Sequence, residues 1–181
     1  MIDSILEFLH YGTILLFGIY LSGAFLGIHM NRRNVLILLA FSAAVGVINA
    51  VAYALFGVSI TEEIYPLIIP FPLFLFLKFF YKYKVLPTML SVCAAYLCCQ
   101  LSNWVGLLFC SFTRLDWVYY SVRIVTTIVV LILLIRFVST AISQLLQKPA
   151  KDIIVLGLIP VVYYIYDYSV TVYSMLLYMG I

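Results

Sequence analysis

The chain has 181 residues, of which 66% are hydrophobic and only 9% are charged, and its formal net charge is +3. A soluble domain carries roughly 25% charged residues and could not bury this much apolar surface at this length. The composition therefore excludes an ordinary water-soluble enzyme and predicts an integral membrane protein.

Six apolar stretches follow one another along the chain, most of them near the roughly 20 residues that a helix needs to cross a bilayer. The apolar pattern predicts helices at 5–28, 35–56, 65–81, 86–112, 118–138 and 153–178. The third is interrupted near its start by Pro66, Pro70 and Pro72, which favour a bent entry or a re-entrant turn. The expected fold is all-α, a polytopic transmembrane helical bundle of about six helices in a single domain over residues 1–181.

The basic residues lie mostly in the segments between the apolar stretches. If the N-terminus is outside the cell, only Arg114 and Arg123 fall on the outer side of the membrane. The inner loops then collect the other basic residues: Arg32, Arg33, Lys78, Lys82, Lys84, Arg136, Lys148 and Lys151. This asymmetry follows the positive-inside rule and predicts a multi-pass protein of the cell membrane with both ends of the chain outside. It indicates topology and membrane lipid as a partner, and no nucleic acid is expected.

The sequence allows two interpretations for each of two segments. The longest inner loop, 139–152, has Ile142, Leu145 and Leu146 at helical spacing, so it either lies along the membrane surface or extends the fifth predicted helix. In the first predicted helix, Gly23 and Gly27 form a GxxxG pattern that allows close helix approach. We expect packing within the chain there, with a homodimer as the alternative.

The cysteines do not follow a metal-binding or disulfide pattern. All four fall in or at the end of one apolar segment, without CxxC spacing or a nearby histidine: Cys93, Cys98, Cys99 and Cys110. We interpret them as packing residues, and we expect neither a metal nor a cofactor.

Asp167 is the most informative single residue, because a carboxylate near the middle of a membrane helix is costly unless it is paired, protonated or facing water. The same face of the sixth predicted helix carries Tyr163 or Tyr164 and, one turn beyond Asp167, Thr171. Asp167 therefore predicts a polar stripe in an otherwise apolar helix.

Other predicted helices carry polar stripes of their own. The fourth offers Gln100 and Asn103, and the fifth offers Arg123 together with Tyr119 or Tyr120. Two earlier helices add Asn49 and a group around His10. The stripes predict an interior pocket that opens outward and takes a peptide or a small amphipathic ligand. The competing interpretation is that the amides and hydroxyls only link helices by hydrogen bonds.

Two stretches resemble the N-terminal membrane region of GHKL-type sensor histidine kinases. They are LSVCAAYLCCQLSNW at 90–104 and QLLQKPAKDIIVLGLIPVVYYIYDY at 144–168. The resemblance implies the receptor module of a two-component system, which passes a signal through a further helix to a cytoplasmic ATP-binding region. This chain has no phospho-accepting histidine segment, Asn-rich ATP site or Gly-rich lid, so the kinase activity is not carried over to it.

The leading hypothesis is the signal-sensing input region of a sensor histidine kinase, without catalytic residues of its own. Its site would be formed or supported by eight side chains: Asp167, Arg123, Gln100, Asn103, Tyr163, Tyr164, Thr171 and Asn49. Two alternatives stay open at this point. One is the substrate-binding membrane subunit of a small-molecule transporter, and the other is a structural membrane protein whose polar residues only pack helices.

Overall fold

The structure, a computed structural model, describes residues 2–113 and 115–173; the side chains of 2–5, 7, 58, 59, 62, 63, 116, 156, 167, 168 and 170–173 lie outside the description. The described residues form helices and contain no strand, which confirms the predicted all-α class. In chain order the helices are α1 (Ile2–Phe25), α2 (Arg32–Glu63), α3 (Tyr65–Ile68), α4 (Pro70–Phe79), α5 (Val85–Thr113), α6 (Asp116–Leu133), α7 (Ser139–Leu146) and α8 (Ala150–Tyr173). They correspond to the six predicted helices, because α3 and α4 divide the third and α7 extends the fifth.

The helices are those of a membrane protein. Within the described residues, four stretches are long and apolar enough to cross a bilayer: Phe8–Phe25, Arg32–Gly57, Val85–Thr113 and Trp117–Leu146. Large apolar side chains cover their outer surfaces, among them Leu36 and Leu55 on α2 and Ile132 on α6. An apolar outer surface of this kind is stable in lipid but not in water.

Helix α5 is the central helix of the bundle. It packs against α1, α4, α6 and α8. Because α1 also packs against α6, helices α1, α5 and α6 form a mutually packed core, and α2 lies alongside α1. Deep in that core the Ser91 hydroxyl of α5 donates to the carbonyl oxygen of Ser22 on α1 at 2.7 Å. We call the end of the bundle at which α1 and α6 begin the Trp117 end, and the end at which α2, α5 and α8 begin the Arg33 end.

Gly27 ends α1 and is not part of a helical GxxxG pair. Its φ is +80°, in the left-handed region that favours glycine. Its amide donates to the carbonyl of Ala24, and the amide of Ile28 donates to that of Gly23, both at 3.0 Å. This is the Schellman arrangement of a helix end. The two glycines are therefore not a helical pair, since only Gly23 lies within the helix, but the predicted packing within the chain is present, because Gly27 approaches Ser143 closely.

The third predicted helix is the most irregular part of the fold. A left-handed residue, Gly57 with φ +78°, interrupts α2 shortly before α3, and α3 and α4 are separated at Ile69, just before Pro70. The apolar stretch Tyr65–Phe79 is shorter than the four spanning stretches. At about 1.5 Å per residue it covers only about 22 Å of a hydrocarbon layer of about 30 Å.

The segment after α6 extends the helix. Residues Leu134–Val138 form one π-helical turn between α6 and α7, so the chain remains helical from Asp116 to Leu146. Of the two predictions for 139–152, extension of the preceding helix is thus correct. Helix α7 reaches the turn between α1 and α2, where a Cβ placed on Gly27 would lie 2.7 Å from Oγ of Ser143.

Helix α8 approaches α5 very closely at Gly157. A Cβ on Gly157 would lie 2.2 Å from Cδ1 of Leu90, so this contact depends on the missing side chain. Pro160 follows one turn later inside α8 and removes one backbone hydrogen bond there. Beside this contact is an apolar cavity of about 90 Å³ between α5, α7 and α8, with Ile142 and Leu146 in its wall.

Candidate functional site

Four polar side chains of α5 and α6 form one hydrogen-bonded chain, which we call the Arg123 network: Arg123, Tyr119, Asn103 and Gln100. Nη1 of Arg123 donates to the Tyr119 hydroxyl. That hydroxyl donates in turn to Oδ1 of Asn103 at 2.9 Å. Nδ2 of Asn103 then donates to Oε1 of Gln100 at 3.3 Å. The network thus links a permanent cation on α6 to two amides on α5.

The local sequence explains why these side chains meet. Tyr119 and Arg123 are four residues apart and Gln100 and Asn103 are three apart, so each pair shares one helix face. Between the pairs lies Gly106 of α5, where a Cβ would come within 3.2 Å of the Tyr119 ring and 3.3 Å of Cβ of Arg123. A larger residue at 106 would push α6 away, so the close approach is what brings the two polar faces together.

The network lies within the membrane-spanning part of the bundle. Arg123 is six residues beyond Trp117, which corresponds to about 9 Å along α6. Gln100 is close to the midpoint of α5, which runs from Val85 to Thr113. The chain of hydrogen bonds therefore runs from near the Trp117 end towards the centre of the membrane.

His10 of α1 lies against the same part of α6. Its side chain is only 2% exposed, and its ring centroid lies 5.6 Å from that of Tyr120 and 6.2 Å from that of Tyr119. Tyr11, next to it on α1, places its ring at 5.5 Å. Nδ1 of His10 is buried and has no hydrogen-bond partner among the described residues. His10 thus adds a polar group of α1 to the aromatic surroundings of the network.

A second group, the tyrosine cluster of Tyr65, Tyr96 and Tyr164, brings together α3, α5 and α8. The ring of Tyr96 lies edge-on to Tyr65 at 6.3 Å and tilted against Tyr164 at the same distance. Tyr96 also covers Gly18 of α1, where a Cβ would lie 2.6 Å from its ring. The cluster packs four elements around one buried phenol, and its side chains come from the middle of the bundle.

The structure unites part of the predicted site. Arg123, Asn103 and Gln100 form one network, as their stripes predicted, and Tyr119 rather than Tyr120 supplies the bridging hydroxyl. On α8, Tyr164 joins the tyrosine cluster, whereas half-buried Tyr163 points about 100° away around the helix axis.

The other predicted site residues stand apart or are not described. Asn49 lies on the face of α2 that also buries Ser42 and Val45, away from the network, and its Oδ1 has no partner among the described groups. Asp167 and Thr171 belong to α8, but their side chains lie outside the described residues. Their predicted roles remain predictions.

The sequence pattern did not predict Tyr65, and it placed His10 among the polar stripes without including it in the eight predicted site residues. Tyr65 precedes Pro66 at the start of a short helix, and nothing in its neighbourhood indicates that it reaches Tyr96. The signal for His10 is its place in an apolar stretch, because a histidine there has the same cost of burial as the amides of Gln100 and Asn103.

The Arg123 network presents groups that can bind a polar ligand. The network offers a guanidinium, two amides and a phenol in aromatic surroundings, which orient a polar group of a ligand. Within the described part of the chain, no three His, Cys, Asp or Glu side chains gather as metal ligands. The four cysteines are present as free thiols.

The chain as a whole matches no protein-family model, no curated protein and no solved structure. The Arg123 network and the tyrosine cluster are therefore the observations on which a function can be proposed.

Proposed function

We propose that this chain is the membrane-embedded input domain of a two-component sensor histidine kinase, with the Arg123 network as the centre of its ligand site. The observation that carries the proposal is a partly buried hydrogen-bonded chain built on an arginine inside a membrane bundle. Ionisable residues at such positions are rare, and they commonly mark functional sites. The resemblance of 90–104 and 144–168 to sensor kinases supplies the class of receptor.

The topology predicted from the loop charges indicates which side of the membrane the site faces. With the positive-inside orientation, the Arg33 end faces the cytoplasm, because Arg32, Arg33, Lys82 and Lys84 lie there. The Trp117 end then faces outward, and Arg123 lies about 9 Å from that surface. A ligand outside the cell would reach the network without crossing the membrane.

Helix α5 provides the connection from the site to the rest of the bundle. Its Asn103 belongs to the network, and about 20 Å further along the same helix Leu90 presses on Gly157 of α8. A ligand that favours one spacing of α5 and α6 would therefore also shift α8, which Pro160 makes bendable. Such coupling requires that the ligand bind the two helix arrangements with different affinities.

The test uses the whole reading frame that contains this chain, reconstituted in lipid nanodiscs with ATP. The proposal requires acid-labile phosphohistidine on the protein. Arg123→Gln should change its steady-state amount at least about fivefold, since coupling free energies of about 1–3 kcal/mol are typical of such receptors. Arg136→Gln is the matched control, because Arg136 lies on the same continuous helix but is exposed, and it should leave the amount unchanged.

Two results would contradict the proposal. Absence of phosphohistidine, combined with solute uptake that depends on a partner ATPase, would identify a transporter subunit instead. Equal phosphohistidine in the wild type and in Arg123→Gln would leave the network a purely structural link between helices. The same assay applied to Asp167→Asn tests the predicted role of that residue, and an unchanged level would remove it from the site.

A further inference from the structure

The Arg123 guanidinium uses only part of its hydrogen-bonding capacity among the described residues. Nη1 is occupied by the Tyr119 hydroxyl, and Cζ lies 5.4 Å from the centroid of the Tyr119 ring. Nε is buried and has no hydrogen-bond partner in the described part of the bundle. The Nε and Nη2 edge is the one with which arginine binds a carboxylate through two parallel hydrogen bonds.

His10 carries a second nitrogen without a described partner, and its imidazole lies beside the Tyr119 ring. Its centroid lies 6.2 Å from that of Tyr119, and the residue is 2% exposed. Nδ1, for which no described residue is a partner, is a donor in one of the two neutral tautomers of imidazole. Arg123 and His10 therefore both contact the Tyr119 ring, one from α6 and the other from α1.

We infer that the ligand of this site carries a compact anionic group, of the carboxylate type, which binds the Nε edge of Arg123 with His10 as an additional donor. The inference rests on the proposed function, namely that the network binds a ligand. The inference specifies the chemical group of the ligand that lies deepest in the bundle. The tyrosine rings beside the two nitrogens suit an aromatic or apolar body attached to the anion.

The physical reason is the cost of an uncompensated cation in a membrane. A buried guanidinium without a counter-charge is strongly unfavourable, and an anion that forms two charge-assisted hydrogen bonds offsets that cost. A neutral amide of the same shape brings no charge and so offsets less of it. A carboxylate of the chain itself is the competing partner, and it would abolish the preference for anionic ligands.

Access to Nε links binding to the arrangement of the helices. Because Nε has no exposed surface, an anion reaches it only when a group packed against it moves aside. The occupied and empty states then differ in helix packing, which is what a sensor requires.

The experiment compares phenylacetate with phenylacetamide on the wild-type chain in nanodiscs of zwitterionic lipid. Trp104 neighbours Asn103, and Trp117 lies at the start of α6, so intrinsic fluorescence reports on the site. Titration to about 50 mM detects dissociation constants weaker than about 1 mM. We expect a saturable change with phenylacetate and at least about tenfold weaker binding of phenylacetamide, since hydrogen bonds between charged groups are about twice as strong as neutral ones.

Variants assign the preference to its residue. Arg123→Gln should abolish the difference between the two probes, Arg123→Lys should keep a weaker preference for the anion, and Arg136→Gln should change nothing. Equal affinity for both probes, no saturable change with either, or an unchanged preference in Arg123→Gln would overturn the inference. Anion binding without any effect on phosphohistidine would instead refute the sensor proposal while leaving the anion site in place.

Discussion

The two ends of the bundle are held together in different ways. In the half nearer the Trp117 end, α5 and α6 are linked by the hydrogen bonds of the Arg123 network, and buried nitrogens of Arg123 and His10 lack partners among the described groups. Near the Arg33 end the contacts depend on glycine, as at Gly157 against Leu90 and at Gly27 against Ser143. The first half is joined by a hydrogen-bond network built on a cation, whereas the second is joined by close approach at glycines together with separate hydrogen bonds such as that from Ser91 to Ser22.

The difference distinguishes the proposed ligand site from the contacts that hold the helices together. Unsatisfied polar groups in a membrane are costly and are retained mainly where they serve binding or signalling. Close packing through missing side chains is instead the general means of joining helices in lipid, where the hydrophobic effect does not drive helices together. Substitutions near the Arg33 end should therefore affect stability most, and substitutions in the network should affect binding most.

The largest loss of stability is expected for Gly157→Ala. The added Cβ would lie 2.2 Å from Cδ1 of buried Leu90, and overpacking of this kind costs about 3 kcal/mol at its upper range. The measurement is the free energy of unfolding in mixed detergent micelles. In a Leu90→Ala background the loss should fall below about 1 kcal/mol, because the obstructing methyl groups are gone.

Gly12→Ala is the control for this substitution, since a Cβ at that position meets no atom within 4 Å. It should leave stability unchanged or raise it slightly, as alanine favours helix. An equal loss in both variants would show that α8 does not depend on its close approach to α5.

An intermediate effect is expected for Gly27→Ala, which forces a side chain into the left-handed conformation at φ +80°. The strain costs about 1–2 kcal/mol, and Ser143 must also move. Gly23→Ala is the matched variant within the helix, because its Cβ would make ordinary contacts at 3.5 Å or more. If Gly23→Ala proves the more harmful of the two, the glycines act as a helix-packing pair and the role of Gly27 as a helix end is wrong.

The smallest effect on stability is expected in the network itself. A double-mutant cycle between Tyr119→Phe and Asn103→Ala should give a coupling free energy of about 1 kcal/mol, which is typical of hydrogen bonds between membrane helices. The control cycle pairs Asn103→Ala with Ser91→Ala, about 18 Å away on α5, and should be additive within about 0.5 kcal/mol. A coupling above that of the Gly157 and Leu90 pair would contradict the contrast between the two ends.

Loop side chains at the Arg33 end are also partly buried. The Tyr81 hydroxyl donates to Oδ1 of Asn34 at 3.4 Å and so links the α4–α5 connection to the start of α2. Burial raises the pKa of Tyr81 above its ordinary value of 10.0, an effect increased by Tyr83 and opposed by Arg33. The hydroxyl therefore stays protonated as a donor over the whole physiological pH range.

Much of the fold could be predicted because a bilayer imposes strong local constraints. Long apolar runs must form helices that satisfy their own backbone, so the six segments and the irregular third one follow from composition and from three prolines. Loop charges likewise predict a topology. Gln100, Asn103 and Arg123 meet one another as a hydrogen-bonded chain, because they have few favourable positions in lipid other than the interior.

The sequence alone thus determined that the chain is an all-helical membrane protein and which of its residues are costly to expose. Tertiary structure decided how each helix is rotated about its axis, because helices that are apolar on all sides carry little periodic signal of their inner face. Neighbouring tyrosines point about 100° apart, so only packing could distinguish Tyr119 from Tyr120 and Tyr164 from Tyr163. It also decided that Gly27 ends α1, since a helix end and a packing motif can share the same glycine spacing.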